Sequence, residues 1–278
     1  LYSGCLRPAL QRASFRFSFS PPAQMKIIDL STTLENDRSW APWWARTRVK
    51  YQDHAFGAWA IWLVFGVARK HLRTGLGWAN EILTLSTHST THVDAPWHYA
   101  PTCEGKKAPT IDELPLERFY APGVVLDLRH LRPDQAASTA DLQAALAKID
   151  HTLSPGQIVL IQTGNDSLLG NPEYFHTGPG VSGEATRWLI DQGIKVMGID
   201  AWGWDRPLRS QAAEAKRTGS ATVFWEAHFV GVDRDYCQIE RLAHLDQLPP
   251  TGFTVCAFPL KVKNGSAGPA RVVALLHE

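Results

Sequence analysis

QIVLIQT, residues 157–163, is an almost unbroken apolar run. A strand with one wet face would alternate in polarity. A run like this reads as a strand buried on both faces, as in a parallel sheet covered by other layers. Two similar segments flank it, GVVLDLR at 123–129 and KVMGID at 195–200. In the first gap Ser138 opens a helix, with Asp141 completing a capping box and Leu142, Leu146 and Ile149 on one face. In the second gap Ser182 caps a helix that carries Glu184 in its first turn, turns Trp188 and Leu189 inward and ends at Gly193. Strand, helix, strand, helix, strand is a βαβαβ unit. Lys26 to Leu30 and Glu81 to Leu85 read as further strands. Phe253 to Val262 and Ala270 to Leu276 read as two closing strands around turns at Asn264-Gly265 and Gly268-Pro269. The expected fold class is α/β, a single domain with a mixed sheet over residues 25–278.

Composition narrows the function. The 278 residues carry 28 Lys and Arg against 27 Asp and Glu, with no basic stripe, which argues against a nucleic-acid partner. A chain of this length can bury its core without staples, and its four cysteines, Cys5, Cys103, Cys237 and Cys256, show no CxxC spacing. They read as reduced thiols in a cytoplasmic protein. The uncharged run Ala55 to Ala68 is 14 residues long, too short to span a bilayer, and reads as a buried helix around Ala58 to Arg69. Many of the 11 tryptophans fall between Trp40 and Trp97. The stretch Trp40 to Trp78 is too apolar to lie open on a monomer, so a homodimer or homotetramer is expected. Residues 1–24 are rich in Arg and Ser and free of acid, a pattern that also fits a transit peptide. Because Met25 leads directly into the strand-like KIIDLS, they read better as a poorly ordered extension upstream of the natural start.

In open α/β sheets, sites gather on loops leaving the carboxyl ends of strands, here after Leu85, Thr163 and Asp200. The first of these loops carries HSTTHVDAPWH, residues 88–98, with three of the chain's 11 histidines and Asp94. Imidazole and carboxylate together suit Zn(II), Mn(II) or Fe(II). On a straight strand His88 and His92 would stand ~13 Å apart, too far to share an ion, so the backbone between them must coil or turn helical. His92 and Asp94 can converge from an extended segment, and Pro96 can bend His98 back over them. His88, His92 and Asp94 are therefore the expected ligands. Three ligands leave positions open, as in a catalytic site. His98 is reserved as a free acid/base, because a ring bound to metal cannot carry protons. A metal that only ties down the loop and a chance cluster are the bland alternatives. No GxSxG occurs, and the GKK at Gly105 has no Walker spacing.

HSTTHVDAPWH resembles the signature of the putative cyclase family, which includes bacterial kynurenine formamidase and isatin hydrolase. Thr90 stands where the family has Gly. KIIDLS, VLIQTGND, GPGVSGEATRWLIDQGIKVMGID and HFVGVDRDYCQIERLAHLDQLP are similar to further family segments. The resemblance implies a swivelling β/β/α fold and a metal-dependent hydrolase acting on a cyclic amide, imide or lactone, or on an aryl formamide. It implies Zn or Mn, one or two ions per subunit, with Asp94 bridging to a second site on His228 and Glu240, and His98 as general acid/base. Trp97 and Trp202 are candidates for an aromatic substrate wall. Trp204 and Phe229 fit core or contact positions as well as a wall, and Asp29 and Asp200 read as structural carboxylates. Two rivals stand beside the hydrolase: a non-heme Fe(II) oxidoreductase on a two-His, one-carboxylate site, and a silent metal- or ligand-binding protein.

Overall fold

Both faces of the 157–163 run are covered. Val159 and Ile161 point into one apolar cluster, while Ile158 and Leu160 point into another on the opposite side of the sheet. The computed structural model describes residues 25–36 and 46–277. The expectations for residues 1–24 and for Trp40, Trp43 and Trp44 fall outside the described residues.

The strands of three or more residues are β1 (Met25–Asp29), β2 (Arg48–Gln52), β3 (Asn80–Thr84), β4 (His92–Asp94), β5 (Tyr120–Asp127), β6 (Ile158–Gln162), β7 (Val196–Ile199), β8 (Cys237–Glu240), β9 (Phe253–Cys256), β10 (Ala267–Pro269) and β11 (Val273–His277). Nine of them form one sheet in the order β1-β11-β9-β5-β6-β7-β8-β4-β10. β5, β6, β7 and β8 run parallel, and the strands outside them pair antiparallel. The helices are α1 (His54–Phe65), α2 (Pro96–Tyr99), α3 (Thr139–Lys148), α4 (Gly183–Asp191) and α5 (Leu208–Thr218). α3 and α4 lie on one face, where Leu142, Leu146 and Leu189 meet Val124, Leu126 and Met197. Burying one such leucine contributes about 1.5–3 kcal/mol. Phe119, Leu242, Leu245 and Val272 close the other face. The sheet is curled: Ser31, just after β1, bridges Leu242, just after β8, and Ala243 donates its N–H to the carbonyl of Leu30 at 3.0 Å. The mixed α/β expectation holds.

Element boundaries follow local chemistry. Ser138 and Asp141 form the expected capping box, and Ser182 accepts from the N–H of Ala185. α1 runs earlier than Ala58 to Arg69, because Asp53 accepts the N–H of Phe56 at its start and Gly66, at φ 68°, stops it, and it is not the buried helix expected, since only Gly57 and Ala58 are buried in it. The parallel block has four strands where the apolar runs predict three; the fourth, β8, is the short segment CQIE. Phe253 to Val262 is a strand only to Cys256. Gly268-Pro269 is part of β10 rather than a turn. Pro269 fits there because β10 is the outermost strand, where a missing N–H is tolerated. Among the described residues no helix is long and apolar enough to cross a membrane.

Candidate metal centre

β4 supplies His92 and Asp94 from a single three-residue strand, seated between β8 and β10. Its register sets Glu240 directly opposite His92 and Gln238 opposite Asp94. Directly paired side chains on antiparallel strands stand about 4.5–5.5 Å apart at Cβ. The pairing itself therefore brings Glu240 to the histidines, and Glu240 Oε2 lies 3.5 Å from His92 Nε2. His88 arrives on the turn-rich segment before β4, not on a helix, and its Nδ1 lies 2.8 Å from Asp94 Oδ1. Thr90, at φ 54°, supplies a left-handed residue in that coil, and its carbonyl receives His92 Nδ1 at 2.9 Å.

α2 is a single helical turn after β4, and Pro96 at its start suits a helical first turn. It places His98 Nε2 4.0 Å from Asp94 Oδ2, with its ring 4.0 Å from that of His88 and 5.5 Å from that of His228. Trp97, about 100° around the same turn, points elsewhere: it is 37% exposed and does not line the cleft described below. His228 opens the turn 228–232, which packs on α2 where Gly231 meets Tyr99; a Cβ on Gly231 would lie 2.1 Å from the Tyr99 ring. His228 Nε2 is 3.5 Å from Glu240 Oε1. The structure thus brings His88, His92, Asp94, His98, His228 and Glu240 to one place.

The hydrogen-bonding pattern shows what chemistry the place suits. The Thr90 carbonyl can only accept, so His92 Nδ1 carries the proton and the Nε2 lone pair of the neutral ring faces Asp94 Oδ1 at 3.2 Å. Asp205 likewise accepts a hydrogen bond from His228 Nδ1 at 2.5 Å. His92 Nε2 and both carboxylate oxygens of Asp94 are buried and make no hydrogen bond of good geometry, although His88 Nδ1 stands 2.8 Å from Oδ1. Acceptors converging on acceptors in a buried space fit a cation. One oxygen or nitrogen from each of His88, His92 and Asp94 lies within 4.8 Å of the others, and the same holds for Asp94, His98 and His228. Burial opposes the charge of Asp94, but the rings of His98, His88 and His92 outweigh it and hold the carboxyl well below the usual range. Burial and the flanking His88, His228 and His92 push His98 down to about 3, against the pull of Asp94.

Above this cluster opens a cleft of about 170 Å³. Trp225 forms one wall, stacked on His228 at 4.5 Å and edge-on to His98 at 5.1 Å. Phe175 and Trp202 form another, 4.4 Å apart and nearly perpendicular, with Arg241 3.5 Å over the Trp202 ring. Trp204 is fully buried, and its indole N–H bonds Thr186. Phe229 is half-exposed beside Trp225. Asp29 pairs with Arg271, and Asp200 accepts from Thr163 and Gly164. Sequence reasoning did not single out Trp225, Phe175, Arg241 or Asp205. Asp205 and Trp202 do lie on the loop after β7, one of the three segments marked by strand polarity alone.

Residues 28–206 match the model of a family described as "Putative cyclase". An isatin hydrolase from Roseibium aggregatum is 30% identical over 207 residues, covering 70% of this chain and 73% of that protein. A kynurenine formamidase from Salinibacter ruber is 29% identical over 202 residues, covering 69% of this chain and 77% of its own. The structure of isatin hydrolase A from Labrenzia aggregata bound to benzyl benzoate superimposes with a TM-score of 0.70 at 27% identity, over 91% of this chain and 94% of that one.

Proposed function

The chain belongs to the putative cyclase family, and from that premise we propose that it is a divalent-metal-dependent hydrolase. Its substrate in this reading is a cyclic amide, imide or lactone, or an aryl formamide. The observation that carries the reading is the convergence of His88 on His92 Nε2 and both Asp94 oxygens, which are buried and make no well-formed hydrogen bond, beneath an aromatic-walled cleft. His88, His92 and Asp94 would hold one ion, Zn or Mn; His228 and Glu240, sharing Asp94, would hold a second. A bound divalent ion supplies the positive charge that makes water acidic near neutral pH and polarises a carbonyl for attack.

The chain's own residues do the rest. Trp225, Phe175 and Trp202 offer flat apolar surface to a ring-bearing substrate and keep bulk water from the cluster. His98 Nε2 takes the proton of the attacking water and passes it to the leaving nitrogen or oxygen. Glu240 is held for its part by the N–H of Trp204, which donates to Oε1 at 2.8 Å. Protein purified without chelator should contain a divalent transition metal and open isatin or cleave N-formylkynurenine in a hydrolysis screen. Absence of turnover on every cyclic amide, lactone and aryl formamide tried, or turnover only with oxygen uptake, would overturn the reading.

The same reading has the protein acting as a homodimer or homotetramer in the cytoplasm. Trp59, Trp62, Leu63, Val64 and Phe65 of α1 and Ile82 and Leu83 of β3 are exposed together on the arm that carries them, which supports a second copy as their cover. Cys103, Cys237 and Cys256 carry free thiols, which supports a reducing compartment.

A further inference from the structure

We infer that Asp205 is a positioning residue: it sets His228 in the ring form that offers Nε2 to a cation. The inference rests on the hydrolase reading and adds a residue to it. Asp205 follows β7 by a short loop, and its side chain is almost wholly buried. Its carboxylate is fixed from three sides. Oδ1 accepts the N–H of Ala227 at 3.0 Å, and Oδ2 accepts the N–H of His228 at 3.1 Å and the ring Nδ1 of the same histidine at 2.5 Å. A carboxylate can only accept, so Nδ1 must bear the proton. In the neutral ring the lone pair is then on Nε2, which faces Glu240 Oε1 at 3.5 Å and shares the space with Asp94 and His98.

Two details separate this from a carboxylate that merely staples a loop. The ring bond is the shortest of the three and is made to the nitrogen that turns away from Glu240 and Asp94. The preceding residue does the matching task for the other half of the pair, since the N–H of Trp204 fixes Glu240. Successive residues of one loop thus aim His228 and Glu240 at the same point. Carboxylates that orient a histidine in this way raise its basicity, and losing them typically costs ~10–100-fold in metal affinity.

The test uses the whole chain. In metal-free wild type labelled with ¹⁵N-histidine, the His228 signal, assigned by its loss in His228→Gln, should show the proton on Nδ1. Titration with Mn²⁺ or Zn²⁺ against a competing chelator should show two ions in wild type. In Asp205→Asn the second ion should bind ~10–100-fold more weakly while the first is unchanged. A wild-type His228 protonated on Nε2 alone overturns the inference, and so does an Asp205→Asn protein that takes both ions with wild-type affinity. Should Asp205→Asn not fold, the wild-type ring measurement decides. A wild type that saturates with one ion and still hydrolyses its substrate also overturns the inference, yet leaves the hydrolase reading standing. A wild type that binds no divalent ion removes both.

Discussion

At the scale of single residues, the proposed function assigns the cluster two separable tasks, holding an ion and moving a proton. His98→Ala should retain the metal bound by wild type, measured by elemental analysis, and lose ~10²–10⁴-fold in turnover. His92→Ala should lose the metal itself. A His98→Ala protein with near wild-type turnover would remove the proton-transfer role. Asp200 makes a separate prediction about stability. Burial pushes its carboxyl from 3.8 to about 7, against hydrogen bonds from Thr163 and Gly164 that favour the charge. The folded value lies above the unfolded one, so its stabilising contribution is complete below pH ~4 and is lost as pH rises through ~7. Asp200→Asn should therefore flatten the fall in stability between those limits, read from urea midpoints at a series of pH values. A variant whose midpoints track wild type across the range would show the carboxyl does not titrate there. Much of this site can be read in the sequence because HSTTHVDAPWH packs four chemistry-bearing residues into one loop. Asp205 and Trp225 could not be read that way. Asp205 lies 23 residues before His228 and only the fold sets it beside that ring, while Trp225, three residues before His228, carries no pattern that shows its ring facing the cleft.

At the scale of elements, the buried apolar runs announced β5, β6 and β7, and the capping residues fixed α3 and α4. β8 hid because CQIE is four residues long with two polar members, although all four are buried. Its polarity is functional: Glu240 faces the cluster, and Gln238 Nε2 donates to the Tyr236 hydroxyl. The turn 228–232 and α2 touch through Gly231, and that contact sets how His228 and His98 stand to each other. Gly231→Ala would drive a methyl into the Tyr99 ring. Such overpacking typically costs ~1–3 kcal/mol, and a displacement of about 1 Å at a reacting group can cost ~10²-fold in rate. The expected result is a folded protein, by circular dichroism, with turnover reduced at least ~10-fold. Wild-type turnover in that variant would show the α2 contact to be incidental.

At the scale of the whole molecule, binding energy at the cluster is also folding energy, since the ligands come from segments that only the native fold unites. An ion present at 100 times its dissociation constant adds about 2.7 kcal/mol to stability. Chelation should therefore lower the unfolding temperature by several degrees, and readdition of Zn²⁺ or Mn²⁺ should restore it. An unchanged unfolding temperature would mean the cluster holds no ion in solution. The exposed arm makes the other prediction at this scale. Sedimentation at micromolar concentration should give a dimer or larger, and a clean monomer would leave α1 without its expected cover. The apolar character of the arm was plain in the sequence, whereas its standing away from the sheet was not, because periodicity says which residues avoid water and not what they meet.

The curl of the sheet and the seating of β4 also set a timetable for biosynthesis. His88 leaves a ribosome 178 residues ahead of its hydrogen-bond partner Ser266, and Thr91 waits 150 residues for the Arg241 carbonyl that receives its hydroxyl. At ~5–20 residues per second, the histidine loop spends on the order of ten seconds or more exposed with neither neighbouring strand in place. Through that interval a nascent chain offers cations only a loose, local set of ligands. In the proposed reading, the full ligand set for an ion therefore comes together only after β8 and β10 have been translated, and not while the histidine segment stands alone.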